Sequence, residues 1–285
     1  MHEAMSNFIS QNSGISEKAK SDEHFWEGYN LLVEHERIVA ELLASNIDKL
    51  EREPTWGYLN GMYDRALKHV VACFVLLSHG HYASAEALCR TAFEATINLY
   101  FASLGSVEGN IASYFLDYVA TEREQNRKWL ASVNTSGHTE EYKEHHRQRI
   151  QRKEISLDTY EKFIREIFGE HAQNPGKWPS LFDRFKIIGK EVEYRTVYAS
   201  LCSQAHNDAE DLLNDVISCI STEFEVRQKN ENVRFAVFMS VLVVSALTEA
   251  AAVYIAKYRI NTAPALSPLI HKTMALAEKT ICRQI

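Results

Sequence analysis

The feature that most constrains this chain is an apolar run from Phe235 to Ala256, interrupted only by Glu249 and a few Ser and Thr residues. As a helix, the run is long enough to cross a bilayer. A carboxylate at membrane depth is costly without a partner, and the sequence contains no second apolar run to supply one. A central helix buried by other helices is therefore favoured over a membrane span.

Glycine and proline are scarce, with 11 and 5 residues in a chain of 285. Their combined number is about half that of an average soluble protein of this length. Sandwiches, barrels and Rossmann folds need these residues at most turns, and no segment alternates strictly between apolar and polar residues. We therefore predict an all-α fold, a bundle of about eight to ten helices around the buried apolar helix. Residues 1–15 are expected to form a disordered arm and residues 16–285 a single helical domain.

Helical periodicity and breaker residues locate the individual helices. Gly105 is expected to end the third helix in a left-handed conformation, and Ser106 to cap the fourth. Ser267 and Pro268 are expected to begin the last helix as its N-cap and first residue. The predicted helices cover about residues 22–52, 57–78, 82–104, 107–133, 139–168, a short segment ending near 188, 191 onward with a continuation from about 207 to 226, 231–260, and the C-terminal segment.

Charge and cysteine usage narrow the classes of partner and compartment. The net charge of −7 gives the whole chain no cationic field for nucleic acid or anionic lipid. Five widely spaced cysteines and the absence of a signal sequence favour a reduced, cytoplasmic protein without a membrane partner. None of the twelve histidines follows a Glu by three positions, so the di-iron bundle motif is missing. We expect no metal and no cofactor.

The third predicted helix carries a polar stripe on an otherwise apolar surface. Glu86, Arg90, Glu94 and Asn98 follow one another at intervals of four residues, so they share one helix face. The stripe either faces the interior as a functional or structural network, or forms a solvated row of ion pairs on the surface. The sequence leaves these two interpretations evenly balanced.

A second polar set lies between residues 194 and 207. Helical spacing would let Arg195, Ser203 and His206 converge on one face. A histidine in this position is either a hydrogen-bonded structural residue, which is the more common case, or an acid–base catalyst. Ser203 and His206 alone do not make a hydrolase site, because no acid and no oxyanion donors are evident beside them.

One local basic cluster offers the only candidate contact with RNA. It is interrupted by acidic residues and contains no aromatic residue for base stacking, so a solvated helix face is the favoured interpretation. Its basic members are Lys143, Arg147, Arg149, Arg152 and Lys153.

Arg90-x-x-x-Glu94, Trp178-Pro179 and the series Tyr194, Tyr198, Ser203-x-x-His206 resemble a bacterial all-helical family of unknown function. That family is distantly similar to the HEPN (higher eukaryote and prokaryote nucleotide-binding) superfamily. The resemblance implies a helical bundle that forms a homodimer and acts as a metal-independent ribonuclease in a defence or toxin system. The HEPN motif Arg-x(4–6)-His occurs only at Arg165 and His171, so the site residues it would imply here are Arg90, Glu94, Tyr198, Ser203 and His206.

Two functions are therefore compatible with the sequence. In the first, His206 acts as general acid or base at the RNA 2′-hydroxyl, Arg90 stabilises the phosphorane and Glu94 orients Arg90. In the second, the same residues form a satisfied polar network in a non-catalytic helical scaffold or ligand-binding module.

Overall fold

The structure, a computed structural model, describes residues 22–199, 201, 213, 216–217 and 219–282. Within them the chain forms eleven α-helices and no β-strand. The helices are α1 Glu23–Ala44, α2 Ile47–Leu50, α3 Trp56–Ser78, α4 Tyr82–Ala102, α5 Val107–Thr135, α6 Glu140–Phe168, α7 Glu170–Gln173, α8 Leu181–Ile187, α9 Glu191–Glu193, α10 Thr222–Ala256 and α11 Ala263–Cys282, with a π-helical segment at Tyr194–Tyr198. The all-α prediction is confirmed.

Side-chain caps explain where several helices begin. Asp22 accepts a hydrogen bond from the backbone N–H of Phe25 at 3.0 Å, and Ser106 accepts one from Gly109 at 3.2 Å. Each cap satisfies one of the backbone donors that the first turn of a helix leaves unpaired. Gly105 has φ of +55°, a left-handed conformation that favours glycine, and it follows the end of α4 as predicted.

Three predicted boundaries are wrong. The break expected between residues 226 and 231 does not occur, because α10 continues through it from Thr222 to Ala256. The first predicted helix is divided at residues 45–46, where the Asn46 side chain donates to the carbonyl of Leu42 at 2.8 Å and so satisfies an acceptor at the end of α1. The last helix begins one turn before Pro268, at Ala263, because the Thr262 carbonyl already accepts from the N–H of Leu266 at 2.9 Å. Pro268 is therefore inside α11, where its ring costs one backbone hydrogen bond.

The described chain divides into two compact units, residues 22–101 with the described residues from 181 to 282, and residues 102–180. The predicted arm at residues 1–15 lies outside the described residues, and the single domain stays a prediction. In the second unit α5 and α6 form an antiparallel hairpin, in which Asn126 donates to Glu154 at 2.6 Å. The loop after α7 packs on the same hairpin through Trp178, whose ring lies 5.0 Å from that of Tyr114.

The core of the first unit is α10, which packs against α1, α3 and α11. Met239, Leu247 and Tyr254 on this helix are almost fully buried. Gly28 lets α1 approach closely, since a Cβ at this position would lie 2.9 Å from Val241. Residues Asn230–Ala256 are long and apolar enough to cross a membrane, but 78% of the apolar window is buried within the structure. That burial is what a core helix requires.

A buried polar group ties α1 and α3 to α10. His35 is fully buried between Thr248 and Tyr63, with both hydrogen bonds at 3.0 Å. The Thr248 hydroxyl donates to the Val244 carbonyl at 2.8 Å, so it accepts from His35 Nδ1–H. His35 Nε2 then accepts from the Tyr63 hydroxyl. This arrangement requires a neutral imidazole, and burial lowers the pKa of His35 from its ordinary value of 6.5 to about 4.

Stability is therefore expected to fall in acid through His35. The folded chain keeps the ring neutral, whereas the unfolded chain takes up a proton below about pH 6.5, so acid favours unfolding. Between pH 7.5 and 4.5 this group should remove about 2.5 kcal/mol from the free energy of unfolding.

Chemical denaturation of the wild type and of His35→Gln at both pH values measures this effect. Glutamine offers a donor and an acceptor but does not titrate, so the variant should lose less stability in acid. An identical pH dependence for the two proteins would contradict the neutral, buried role of His35.

Candidate functional site

Three of the predicted site residues lie together in the first unit. Arg90 Nε donates to the hydroxyl oxygen of Tyr198 at 3.2 Å, although the two residues are 108 positions apart. The Tyr198 hydroxyl donates to Glu94 Oε2 at 3.4 Å, and the Arg90 guanidinium carbon lies 5.5 Å from the centre of the tyrosine ring. Tyr198 thus links the cation and the carboxylate of α4.

The polar stripe of α4 faces inward rather than forming a solvated row. Glu86 is only 3% exposed, and Arg90, Glu94 and Asn98 are half-buried. Tyr198, which contacts Arg90 and Glu94 of the stripe, is 5% exposed. A guanidinium in such a partly desolvated position interacts more strongly with anions than one in open water, because the effective dielectric constant is lower.

Aromatic packing holds Tyr198 in place. Its ring stacks on Tyr194 at 5.4 Å and contacts Phe185 at 5.8 Å. Phe185 in turn stacks almost parallel to Phe93 of α4, with ring centres 5.6 Å apart. Tyr194 and Tyr198 are the two ends of the π-helical segment, a form that occurs mostly as single-turn bulges within α-helices and is frequent at functional sites.

The segment that carries Tyr198 is tied to the core helix by an ion pair. Lys190 Nζ lies 2.8 Å from Glu249 Oε2 of α10 and 3.7 Å from Glu193. Burial alone would lower the pKa of Lys190, but the hydrogen bond and the charge of Glu249 outweigh it and raise that pKa. Sequence reasoning missed Lys190. The isolated carboxylate at Glu249 was the signal that a cation had to lie nearby.

The remaining candidate residues of the sequence either lie outside the described residues or make contacts elsewhere. Ser203 and His206 lie outside the described residues. Arg195 is exposed and pairs with Glu191 at 3.0 Å. Arg165 of the Arg-x5-His match pairs with Glu161 at 2.6 Å and donates to the Ala172 carbonyl at 2.8 Å. Both contacts of Arg165 therefore stabilise the C-terminal end of α6.

The basic cluster of α6 belongs to the second unit and is largely occupied by contacts within the chain. Lys143 pairs with Glu140 at 3.3 Å, Arg147 also pairs with Glu140, and Lys153 pairs with Glu122 of α5. Arg149 lies 5.7 Å from the ring of Trp129. Arg152 is exposed.

The arrangement around Arg90 suits anion binding. A guanidinium carries five N–H donors in a fixed plane, and the bond from Nε to Tyr198 sets the orientation of that plane. Glu94 accepts from the same tyrosine, so the hydroxyl has both a donor and an acceptor. Among the described residues, no group of three or more His, Cys, Asp and Glu side chains could hold a metal ion.

A double-mutant cycle tests the contact between Arg90 and Tyr198. Tyr198→Phe keeps the ring and removes the hydroxyl, which should lower the free energy of unfolding by about 1–2 kcal/mol. Arg90→Ala should cost less in the Tyr198→Phe background than in the wild type, by about 1 kcal/mol, because the shared contact is already lost. Thermal or urea unfolding of the four proteins gives these values.

The matched control is Arg37→Ala, since Arg37 also precedes a Glu by four residues but pairs with it directly, at 2.7 Å, on an exposed surface. Its effect should add to that of Tyr198→Phe. If Arg90→Ala were equally additive, the network would not be a coupled unit.

Comparison with known proteins assigns the chain to a family. No curated protein and no solved structure matches the chain. A family model, the family of unknown function DUF5677, matches residues 57–224, which is more than half of the 285 residues. The matched region includes Arg90, Glu94, Tyr198, Ser203 and His206. The chain belongs to this family of unknown function.

Proposed function

We propose that this protein is a metal-independent ribonuclease, distantly similar to HEPN proteins, in which Arg90 binds the scissile phosphodiester. The observation that carries the proposal is the position of Arg90, a half-buried guanidinium oriented by Tyr198 and linked through it to Glu94. A planar cation in a partly desolvated site stabilises charge that develops on phosphate oxygens.

His206 is the proposed acid–base group. It follows Tyr198 by eight positions in the sequence and lies within the region matched by the family model. In the proposed step the 2′-oxygen of RNA forms a bond to phosphorus while the bond from phosphorus to the 5′-oxygen breaks. Neutral His206 accepts the 2′-hydroxyl proton, and the imidazolium so formed returns a proton to the leaving 5′-oxygen, so that a cyclic phosphate and a free 5′-hydroxyl result.

A non-catalytic scaffold or ligand-binding module is the second candidate. The burial of Glu86 and Tyr198 favours it, because these side chains are as inaccessible as a structural network would make them. The two candidates differ in what the loss of Arg90 removes: catalysis with a surviving fold in the first, and stability alone in the second.

The proposed setting of the ribonuclease is the cytoplasm of a bacterium, in a defence or toxin system. The proposed assembly is a homodimer, and the proposed secondary contact with RNA is the basic cluster of α6. Arg152, which is exposed, and Arg149 beside it support such a contact on the outer surface of that helix.

Cleavage of total RNA by the purified chain in the presence of EDTA tests the proposal. The wild type should cleave RNA under these conditions, and His206→Ala should lower the rate by at least about 100-fold, since a general acid or base contributes that much. Arg90→Ala should also abolish cleavage. Arg37→Ala should cleave normally, because Arg37 likewise precedes a Glu by four residues but lies on an exposed surface.

Each variant needs a thermal melt beside the cleavage assay. Loss of cleavage in a variant that melts like the wild type assigns the residue to catalysis. Intact RNA with the wild type, or equal cleavage by wild type and His206→Ala, would reject the ribonuclease and leave the scaffold.

A further inference from the structure

A groove lies between α1 and α3, and Arg90, Glu94 and Tyr198 are not among the residues that line it. The groove is open to solvent and has a volume of about 340 Å³. Phe25, Trp26 and Tyr29 of α1 and Phe74 and Val75 of α3 form its walls. Tyr29 and Val75 are 41% and 51% exposed, so the groove presents apolar surface to solvent.

The aromatic rings of the groove meet at steep angles. Trp26 and Tyr29 are 6.1 Å apart and inclined at 87°, and Phe25 and Trp26 are 5.1 Å apart at 76°. Tyr29 faces Phe74 at 6.4 Å and 58°. Rings inclined in this way form a concave apolar wall, which contacts a ligand from more than one side.

Glu36 is the only charged residue among the described residues that line the groove. Its side chain is half-buried on α1, seven residues after Tyr29. At 1.5 Å per residue, the two side chains are about 10 Å apart along the helix. A half-buried carboxylate at one end of an apolar groove complements a cation on an otherwise apolar molecule.

We propose that this groove binds an elongated apolar amine, an alkylammonium or arylalkylammonium compound, with its ammonium group at Glu36 and its apolar body against the aromatic walls. The volume equals that of roughly eleven water molecules, at about 30 Å³ for each in the liquid, so a compound of about ten non-hydrogen atoms fits it. The separation of Glu36 from Tyr29 fits a cation and a ring joined by a short alkyl chain. The aromatic rings add a favourable interaction with the cation wherever it passes their faces.

The probes are 4-phenylbutylamine, which is charged at neutral pH, and its neutral analogue 4-phenylbutanol. Isothermal titration of the full chain should show both binding, the amine about five-fold or more tightly, because only the amine pairs with Glu36. Glu36→Gln should reduce the affinity for the amine to that for the alcohol and leave the affinity for the alcohol unchanged.

Two further variants define the location. Val75→Arg places a cation and a long side chain in the groove and should weaken both probes at least about ten-fold. Glu41→Gln, on the same helix but on an exposed surface outside the groove, should change neither affinity. Circular dichroism melts confirm that each variant is folded.

Equal binding of the amine and the alcohol by the wild type would overturn the proposal, and so would a preference for the amine that survives Glu36→Gln. Affinity for the amine that weakens as protein concentration rises, with a dimer in light scattering that Val75→Arg dissociates, would identify a second copy of the chain as the occupant. That result would also overturn the proposal.

Discussion

The burial of α10 is the constraint on which the first unit depends. A helix that is apolar on nearly every face must be covered on every face, and α1, α3 and α11 contribute to this cover. A fully buried large apolar side chain contributes about 1.5–3 kcal/mol, and the helix carries several of them. The Glu249 carboxylate lies on the same helix and is 22% exposed, so its desolvation opposes this burial unless a cation lies beside it.

Lys190 is that cation, and the pair connects the core to the candidate site. Because Lys190 is held at Glu249, the segment that follows Lys190 is anchored to α10 at the beginning of the segment. The same segment then presents Tyr194 and Tyr198 to Phe185 and Phe93, which fixes the hydroxyl of Tyr198 beside Arg90. The orientation of the guanidinium therefore depends on a charge in the core helix as well as on its own neighbours.

Local sequence signals predicted the helices, but they could not predict contacts between residues far apart in the sequence. Ser106, Thr139 and Gly105 identify helix ends because caps act over three or four residues. The contact between Arg90 and Tyr198 spans 108 positions, and no local pattern encodes such a pairing. Pro268 was misassigned because proline suits a first turn by propensity, whereas the hydrogen bond from Leu266 N–H to the Thr262 carbonyl begins the helix earlier. The spacing of the α4 stripe predicted its shared face but not its inward direction.

Hydrogen exchange of the chain purified without detergent tests most directly whether α10 is the core helix. Backbone amides between residues 236 and 255 should be the slowest to exchange, opening only with global unfolding, because the surrounding helices must separate before water reaches them. Rapid exchange in this segment, or a chain that remains folded only in detergent, would contradict the account and favour a membrane span.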